Sequence, residues 1–282
     1  TIASYVNQGY ELLSDDYPTS GQIFDQDGVT QAYTVKLGHQ LITVTPDQPG
    51  TPGQPIDPDN PAGPSYPAGT AKTDLTKDVL QTINYRYQNG RQAAADNVQT
   101  VTFTRTATVD EVDHLVIIYT DWTSGDGPRG IYQAMTSPTI TGYTPDQSRI
   151  AGNNAVTSDD QNTTLTVTYA PNQETAFVSY VDGTTGKTLA TKQVTGAYQS
   201  KSDYRTADQI ATYVQAGYEL VSDDFPTSGL IFNQDGVKQT YTVKLGHKLI
   251  TVTPDEPGTP GQPIDPDNPA GPTYPRGTAV QD

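Results

Sequence analysis

Cysteine is absent from these 282 residues, histidine occurs three times, and methionine and tryptophan once each. Without thiols there is no disulfide and no thiolate metal site, although that alone does not decide the compartment. No run approaches the roughly 18–20 apolar residues that span a bilayer. The opening Thr1-Ile2-Ala3-Ser4 lacks the basic and apolar regions of a signal peptide, so no segment is expected to insert or target. Basic residues are also scarce, 16 against 32 acidic, for a formal charge of −16. A nucleic-acid backbone or an anionic membrane would be repelled by most of such a surface, and neither is an expected partner.

What is abundant is Thr, Tyr, Val, Gly and Pro, a composition suited to short strands and turns. The chain also repeats. Thr1 to Thr70 aligns without a gap on Gln209 to Thr278, with 14 differences and 56 of 70 positions identical. A period of 208 is far longer than the 20–50 residues of a solenoid unit, so each period should hold complete domains. The expected fold class is α+β and β-rich: an elongated multidomain array of β-grasp (ubiquitin-like) and related β-rich domains joined by extended proline-rich linkers.

The linkers carry a proline at every third position from Pro46 to Pro67 and again from Pro254 to Pro275, 16 of the chain's 22 prolines. Three residues per turn is the polyproline II period, and a fully extended tract of this length would reach roughly 70 Å at about 3.1 Å per residue, softened by Gly50, Gly53 and Gly63.

Residues 173–250 read as one complete domain. Ala176 to Val181 alternates as a strand, Asp182-Gly183 and Thr185-Gly186 mark a turn, and Lys187 to Val194 returns as a hairpin partner. Thr206 with Gln209 predicts a helix-capping box, Ile210, Tyr213 and Val214 share a helical face, and Gly217 ends the helix. Strands at Tyr218–Ser222 and Gln239–Leu245 complete a β-β-α-β-β order, which a mixed four-stranded sheet with one helix satisfies. Residues 1–45 match only the later part of this domain, so their apolar face lacks a partner. Docking elsewhere, exchange with another chain or weak order is expected for them. Residues 73–172 form a different β-rich domain, with Asn89-Gly90 as a hairpin turn, an alternating strand over 98–106, an apolar strand around Leu115-Val-Ile-Ile-Tyr119, and a loop at Gly125-Asp-Gly-Pro-Arg-Gly130. Residues 46–72 and 251–282 are the linkers.

Val101-Thr-Phe-Thr-Arg-Thr-Ala-Thr-Val-Asp110, Trp122 and Ser137-Pro-Thr-Ile-Thr-Gly-Tyr143 resemble the second domain of the mucus-binding (Mub) repeats of lactic acid bacterial surface adhesins. Val178-Ser-Tyr-Val-Asp-Gly-Thr-Thr-Gly-Lys187 and Ala216-Gly-Tyr-Glu-Leu-Val-Ser-Asp-Asp224 resemble the first, MucBP-like domain. The resemblance implies secretion to the bacterial cell surface, wall anchoring through a region outside this chain, and adhesion to mucin glycoproteins, with immunoglobulin as a further partner. The alternative is a structural stalk that projects a distant binding domain.

An enzyme would need a converging nucleophile, base or metal set. His39 and His247 are copies of one position and His114 is the other, without H-E-x-x-H spacing, so no catalytic or metal residue is assigned. Asp57-Pro-Asp59-Asn60 and Ser158-Asp159-Asp160 could offer oxygen ligands to Ca²⁺, but lack the EF-hand pattern and read as solvated turns; no cofactor is assigned. For sugar binding the best local cluster is Trp122 with Asp126, Arg129 and Tyr132, an aromatic face beside polar groups and a cation for a sialic-acid or sulfate anion. For a protein ligand, an exposed strand carrying Phe177, Ser179 and Val181, or Thr188–Val194, could recruit a partner strand. Trp122 as a core residue, and Lys187 and Lys192 as edge protection, are the competing readings.

Overall fold

The computed structural model describes residues 1–125 and 127–279. Strands dominate. The chain divides into two compact units, one of Thr1–Arg86, Ala94–Ser137 and Gln147–Val167, the other of Tyr87–Ala93, Pro138–Asp146 and Thr168–Asp282.

In the second unit, strand Gln173–Asp182 alternates strictly in burial, with Glu174, Ala176, Val178, Tyr180 and Asp182 inward. That period of two is what a sheet with one covered face imposes. It pairs antiparallel with Thr188–Ala197 and parallel with Gln239–His247, which pairs antiparallel with Tyr218–Asp223. Helix Ala207–Gln215 packs Ile210 and Tyr213 onto the core of Val178, Tyr180, Phe225, Leu230, Phe232, Val243 and Leu245. The strand order is therefore edge, centre, centre, edge, with Gln173–Asp182 at the centre. This corrects one reading: Phe177, Ser179 and Val181 are not on an exposed edge, because the parallel strand that returns after the helix occupies that side. Thr188–Ala197 is one edge and Tyr218–Asp223 the other. A second correction concerns the helix start. Thr206 makes no cap hydrogen bond; its buried hydroxyl donates instead to Asp223 Oδ2 at 2.6 Å. Gly217, at φ +94, follows the helix as a residue free to enter the left-handed region.

In the first unit, Tyr10–Asp15 pairs with Val35–His39, the same hairpin as Tyr218–Asp223 with Gln239–His247. Here no further strand among the described residues pairs with it: Phe24 is 91 % exposed, whereas its repeat partner Phe232 is 0 % exposed. Residues 41–44 dock elsewhere, as strand Leu41–Val44 added antiparallel to Ala107–Asp110, which pairs in turn with Leu115–Tyr119. Val44, Leu75, Ala107 and Val109 form the core beneath, joined by Ile56 and Tyr66. Thr76–Tyr87 and Gln92–Thr104 are neighbouring strands of a further sheet.

The proline tracts are not extended spacers. Gly50 N donates to Thr70 O at 2.9 Å, Gly53 N to Tyr66 O at 2.8 Å and Ile56 N to Pro64 O at 2.9 Å, so the tract folds back and its ends meet. The second tract repeats this through Gly258 to Thr278, Gly261 to Tyr274 and Ile264 to Pro272. Residues between the prolines supply donors, and turns at Asp57–Asn60 and Asp265–Asn268 reverse the chain, which a continuous polyproline helix would not allow.

Candidate functional site

The turn Asn89-Gly90 places a first set of groups. Gly90, at φ +81, donates to Tyr87 O, Tyr87 N donates to Arg91 O, and the Asn89 side chain accepts from Arg91 N at 3.0 Å. This presents Tyr87, Gln88, Asn89 and Arg91 at the end of a long hairpin.

Gly142 places the second set. A side chain there would meet the Tyr198 ring at 2.2 Å, and the backbone is at φ +78, so glycine is required by both space and conformation. Its N–H donates to Asp235 Oδ2 at 2.9 Å, and Asn172 Nδ2 donates to Asp235 Oδ1 at 2.8 Å. The Asn172 side chain and the Gly142 amide together hold the Asp235 carboxyl below its usual range. Asn172 N donates to Gly142 O and Tyr198 N to Asn172 O, closing the arrangement around Asp235.

Tyr143 then lies between two rings, 4.7 Å from Tyr87 at 53° and 5.7 Å edge-on from Tyr198 at 80°. Beneath them Tyr169 is buried and donates to Pro138 O at 2.6 Å. The result is a cleft of about 500 Å³ in the second unit, walled by Tyr87, Tyr143 and Tyr198 and rimmed by Gln88, Arg91 and Gln199. That volume lies in the range of small-ligand sites. Half-buried aromatic faces suit the apolar faces of sugar rings, the amides suit hydroxyls, and Arg91 suits a carboxylate or sulfate. No short motif announces it: residues 87, 143 and 198 come from three distant stretches, and the only trace in the sequence is its wealth of tyrosine.

The predicted cluster is placed differently. Trp122 packs half-buried against the core of Val79, Val101, Phe103, Tyr132 and Val156. The Arg105 guanidinium lies over it at 4.5 Å and over Tyr119 at 3.7 Å. Tyr132 is 4 % exposed and belongs to that core, with its hydroxyl buried and unpartnered; burial first, then Asp160, pushes the phenol up. Arg129 is exposed, and Asp126 lies outside the described residues. The structure thus packs half-buried Trp122 and buried Tyr132 against one core and leaves Arg129 on the surface. The acidic turns use their own oxygens: Asp57 accepts from Asp59 N and Asp160 from Thr157 N.

The repeat-equivalent histidines His39 and His247 each meet an aspartate, but not an equivalent one. His247 Nε2 meets Asp182 Oδ2 at 3.0 Å, and His39 Nδ1 meets Asp110 Oδ2 at 2.9 Å. Hydrogen bonds from the Thr185 side chain, then the Thr185 and Thr184 amides and His247, outweigh burial and hold Asp182 at about 2. The bond to Asp110 raises His39 above its ordinary value. Burial drives Asp110 up, but the His39 bond and the Asp113 and Val112 amides together bring it below normal. With Asp113, His39 and Asp110 form a small cluster of ligand-type atoms. No helix among the described residues is long and apolar enough to cross a membrane.

Two family models and several solved structures match this chain. The family model of the Muc B2-like domain matches residues 70–173, and that of the mucin binding domain matches residues 1–39 and 174–247. No curated protein matches. Among solved structures, the type 2 repeat of the mucus binding protein MUB from Lactobacillus reuteri is 32% identical, with 61% of this chain and 80% of that one covered and a TM-score of 0.38. The MucBP domain of the adhesion protein from Pediococcus pentosaceus is 34% identical, covering 34% of this chain and 98% of that one, with a TM-score of 0.29. The Mub-RV crystal structure is 25% identical over 61% of this chain and 79% of that one, TM-score 0.43. Sequence identity across most of a mucus-binding repeat, together with both family matches, shows that this chain belongs to the mucus-binding repeat family.

Proposed function

We propose that this chain is an adhesin repeat of a bacterial cell surface, built from β-grasp and β-rich domains and binding mucin glycans through the cleft of Tyr87, Tyr143 and Tyr198. The observation that carries the reading is the cleft itself: the rings of Tyr87, Tyr143 and Tyr198 beside Arg91 and the amide side chains of Gln88, Asn89 and Gln199, held by a glycine required by both space and conformation. Catalysis plays no part in it. Affinity per site is low, and avidity arises when several repeats engage one mucin chain. Wall attachment belongs to a region outside these residues. Trp122 and Arg129 make a secondary contact along the part of the indole that Arg105 leaves uncovered. An immunoglobulin would meet the edge strand Thr188–Ala197, where main-chain groups are open to an added strand.

Binding to immobilised mucin and to a glycan array tests this. Tyr143→Ala should lower affinity about ten-fold or more, consistent with roughly 1–3 kcal/mol for a lost aromatic anchor in a binding site. Arg91→Ala should weaken sialylated or sulfated glycans more than neutral ones. Trp122→Ala should change binding less than Tyr143→Ala. A chain that binds no mucin even when multimerised would be a stalk repeat.

A further inference from the structure

One four-residue sequence, Leu-Ile-Thr-Val, occurs twice with different fates. At Leu41–Val44 it is a strand paired with Ala107–Asp110, and Val44 is buried. At residues 249–252 it pairs with nothing among the described residues, and Leu249 is 89 % exposed. The surroundings of the two segments are nevertheless the same. Gln40 N donates to Gly9 O at 2.8 Å, and Lys248 N to Gly217 O at 3.0 Å. Asn60 Nδ2 donates to Asn7 O at 3.0 Å, and Asn268 Nδ2 to Gln215 O at 2.7 Å.

What differs is what lies on this surface. In the first copy the turn after Ala107–Asp110 sits on it: Glu111 N donates to Gln40 O, Asp110 meets His39, and Ser65 N donates to His114 Nδ1. Glu111 lies so close that a side chain on Gly9 would meet it at 2.8 Å. In the second copy the corresponding place is a recess of about 300 Å³, lined by Gly217, Tyr218, His247, Lys248, Ile250 and Asn268 among others. Pro64 is buried in the first copy, and its counterpart Pro272 is exposed.

We propose that this recess and residues 249–252 are the docking site of a second Muc B2-like domain, whose counterpart of Ala107–Asp110 adds to 249–252 while its Asp110–His114 turn fills the recess. Charge favours that occupant. The turn brings Asp110, Glu111 and Asp113, and the second copy places Lys248 where the first has Gln40 and Arg276 where it has Ala68, against one acidic exchange, Glu256 for Gln48. His247 also engages Asp182 through Nε2, whereas His39 uses Nδ1 for Asp110, so one histidine has a separate nitrogen for each carboxylate. The edge that 249–252 presents is satisfied by strand addition, as in the first copy. The inference does not depend on which glycan, if any, the repeat binds.

The test lengthens the chain by repeating residues 71–282 after Thr278. Thr43 and Thr108 face each other across the existing pair, and directly opposed residues in an antiparallel ladder lie within disulfide reach. Thr251→Cys, combined with the Cys substitution at the appended counterpart of Thr108, should form a disulfide as completely as Thr43→Cys with Thr108→Cys does. Amides 249–252 should exchange at least about 100-fold more slowly than in the unlengthened chain. No disulfide and unchanged exchange, while the Thr43 and Thr108 control closes, overturn the proposal. A second arm needs no added domain. Val44→Pro, which removes a ladder donor from the edge strand, frees the hairpin of one molecule for residues 249–252 of another. Head-to-tail oligomers should appear in sedimentation velocity and vanish when Val252→Pro is added; a strictly monomeric Val44→Pro chain counts against the docking site.

Discussion

At the scale of single residues the repeat supplies its own controls. Phe24 and Phe232 are the same residue in the same sequence context, yet one is 91 % exposed and the other is wholly buried. Phe232→Ala should therefore cost about 3–5 kcal/mol, and Phe24→Ala no more than about 0.5 kcal/mol. Denaturation followed by amide exchange in each module would separate the two. Asp182 offers a pH prediction. Its folded value of about 2 lies below the usual value of about 3.9 for an unfolded aspartate, so its contribution is complete above about pH 4 and is lost as pH falls through 2. The melting midpoint of the complete module should drop across that window, and Asp182→Asn should flatten the drop while lowering stability at neutral pH. The raised His39 works in the opposite sense. The stability it lends is full below about pH 6.5 and disappears as pH rises through its folded value.

At the scale of elements the folded-back proline tract is the main departure from what spacing implies. Prolines at every third position do match a polyproline helix, but periodicity says nothing about whether the intervening amides find partners. Here Gly50, Gly53, Ile56 and Tyr66 find them inside the tract. Gly50 is the tightest point, since a Cβ there would lie 2.4 Å from the Tyr66 ring and 2.7 Å from Thr70 Oγ1. Gly50→Val should cost about 1–3 kcal/mol by overpacking and strip exchange protection from the Gly53 and Ile56 amides. Gly53→Ala, at φ +84 with open space around it, should cost about 1–2 kcal/mol through backbone strain and leave that protection largely intact. The hairpin over 173–197 and the helix after Thr206 were legible because strand alternation, turn residues and helical spacing are local signals. The missing cap was not, because the choice of Thr206 between its own helix and Asp223 depends on a residue 17 positions away.

At the scale of the whole molecule, charge governs encounter. A net charge of −16 repels sialylated and sulfated mucin, and one Arg91 at the cleft offsets little of it at long range. Screening shortens from about 30 Å at 0.01 M salt to about 8 Å at 0.15 M. Binding to acidic mucin should strengthen several-fold over that interval, and binding to desialylated mucin should change much less; surface plasmon resonance at both salt concentrations would show it. Binding of acidic mucin that weakens steadily with salt would mean that cations dominate contact.

Sequence alone determined that the chain repeats itself, that it is rich in strands, where its hairpins turn and which family its motifs resemble, because each of these rests on periodicity, composition or identity along the chain. Tertiary structure decided the rest. It made Gln173–Asp182 a central strand by returning another beside it, put Trp122 and Tyr132 against a core, and gathered tyrosines 87, 143 and 198 from separate stretches. It also gave two identical Leu-Ile-Thr-Val segments different states. Burial and pairing depend on what arrives from elsewhere in the fold, and no local pattern carries that information.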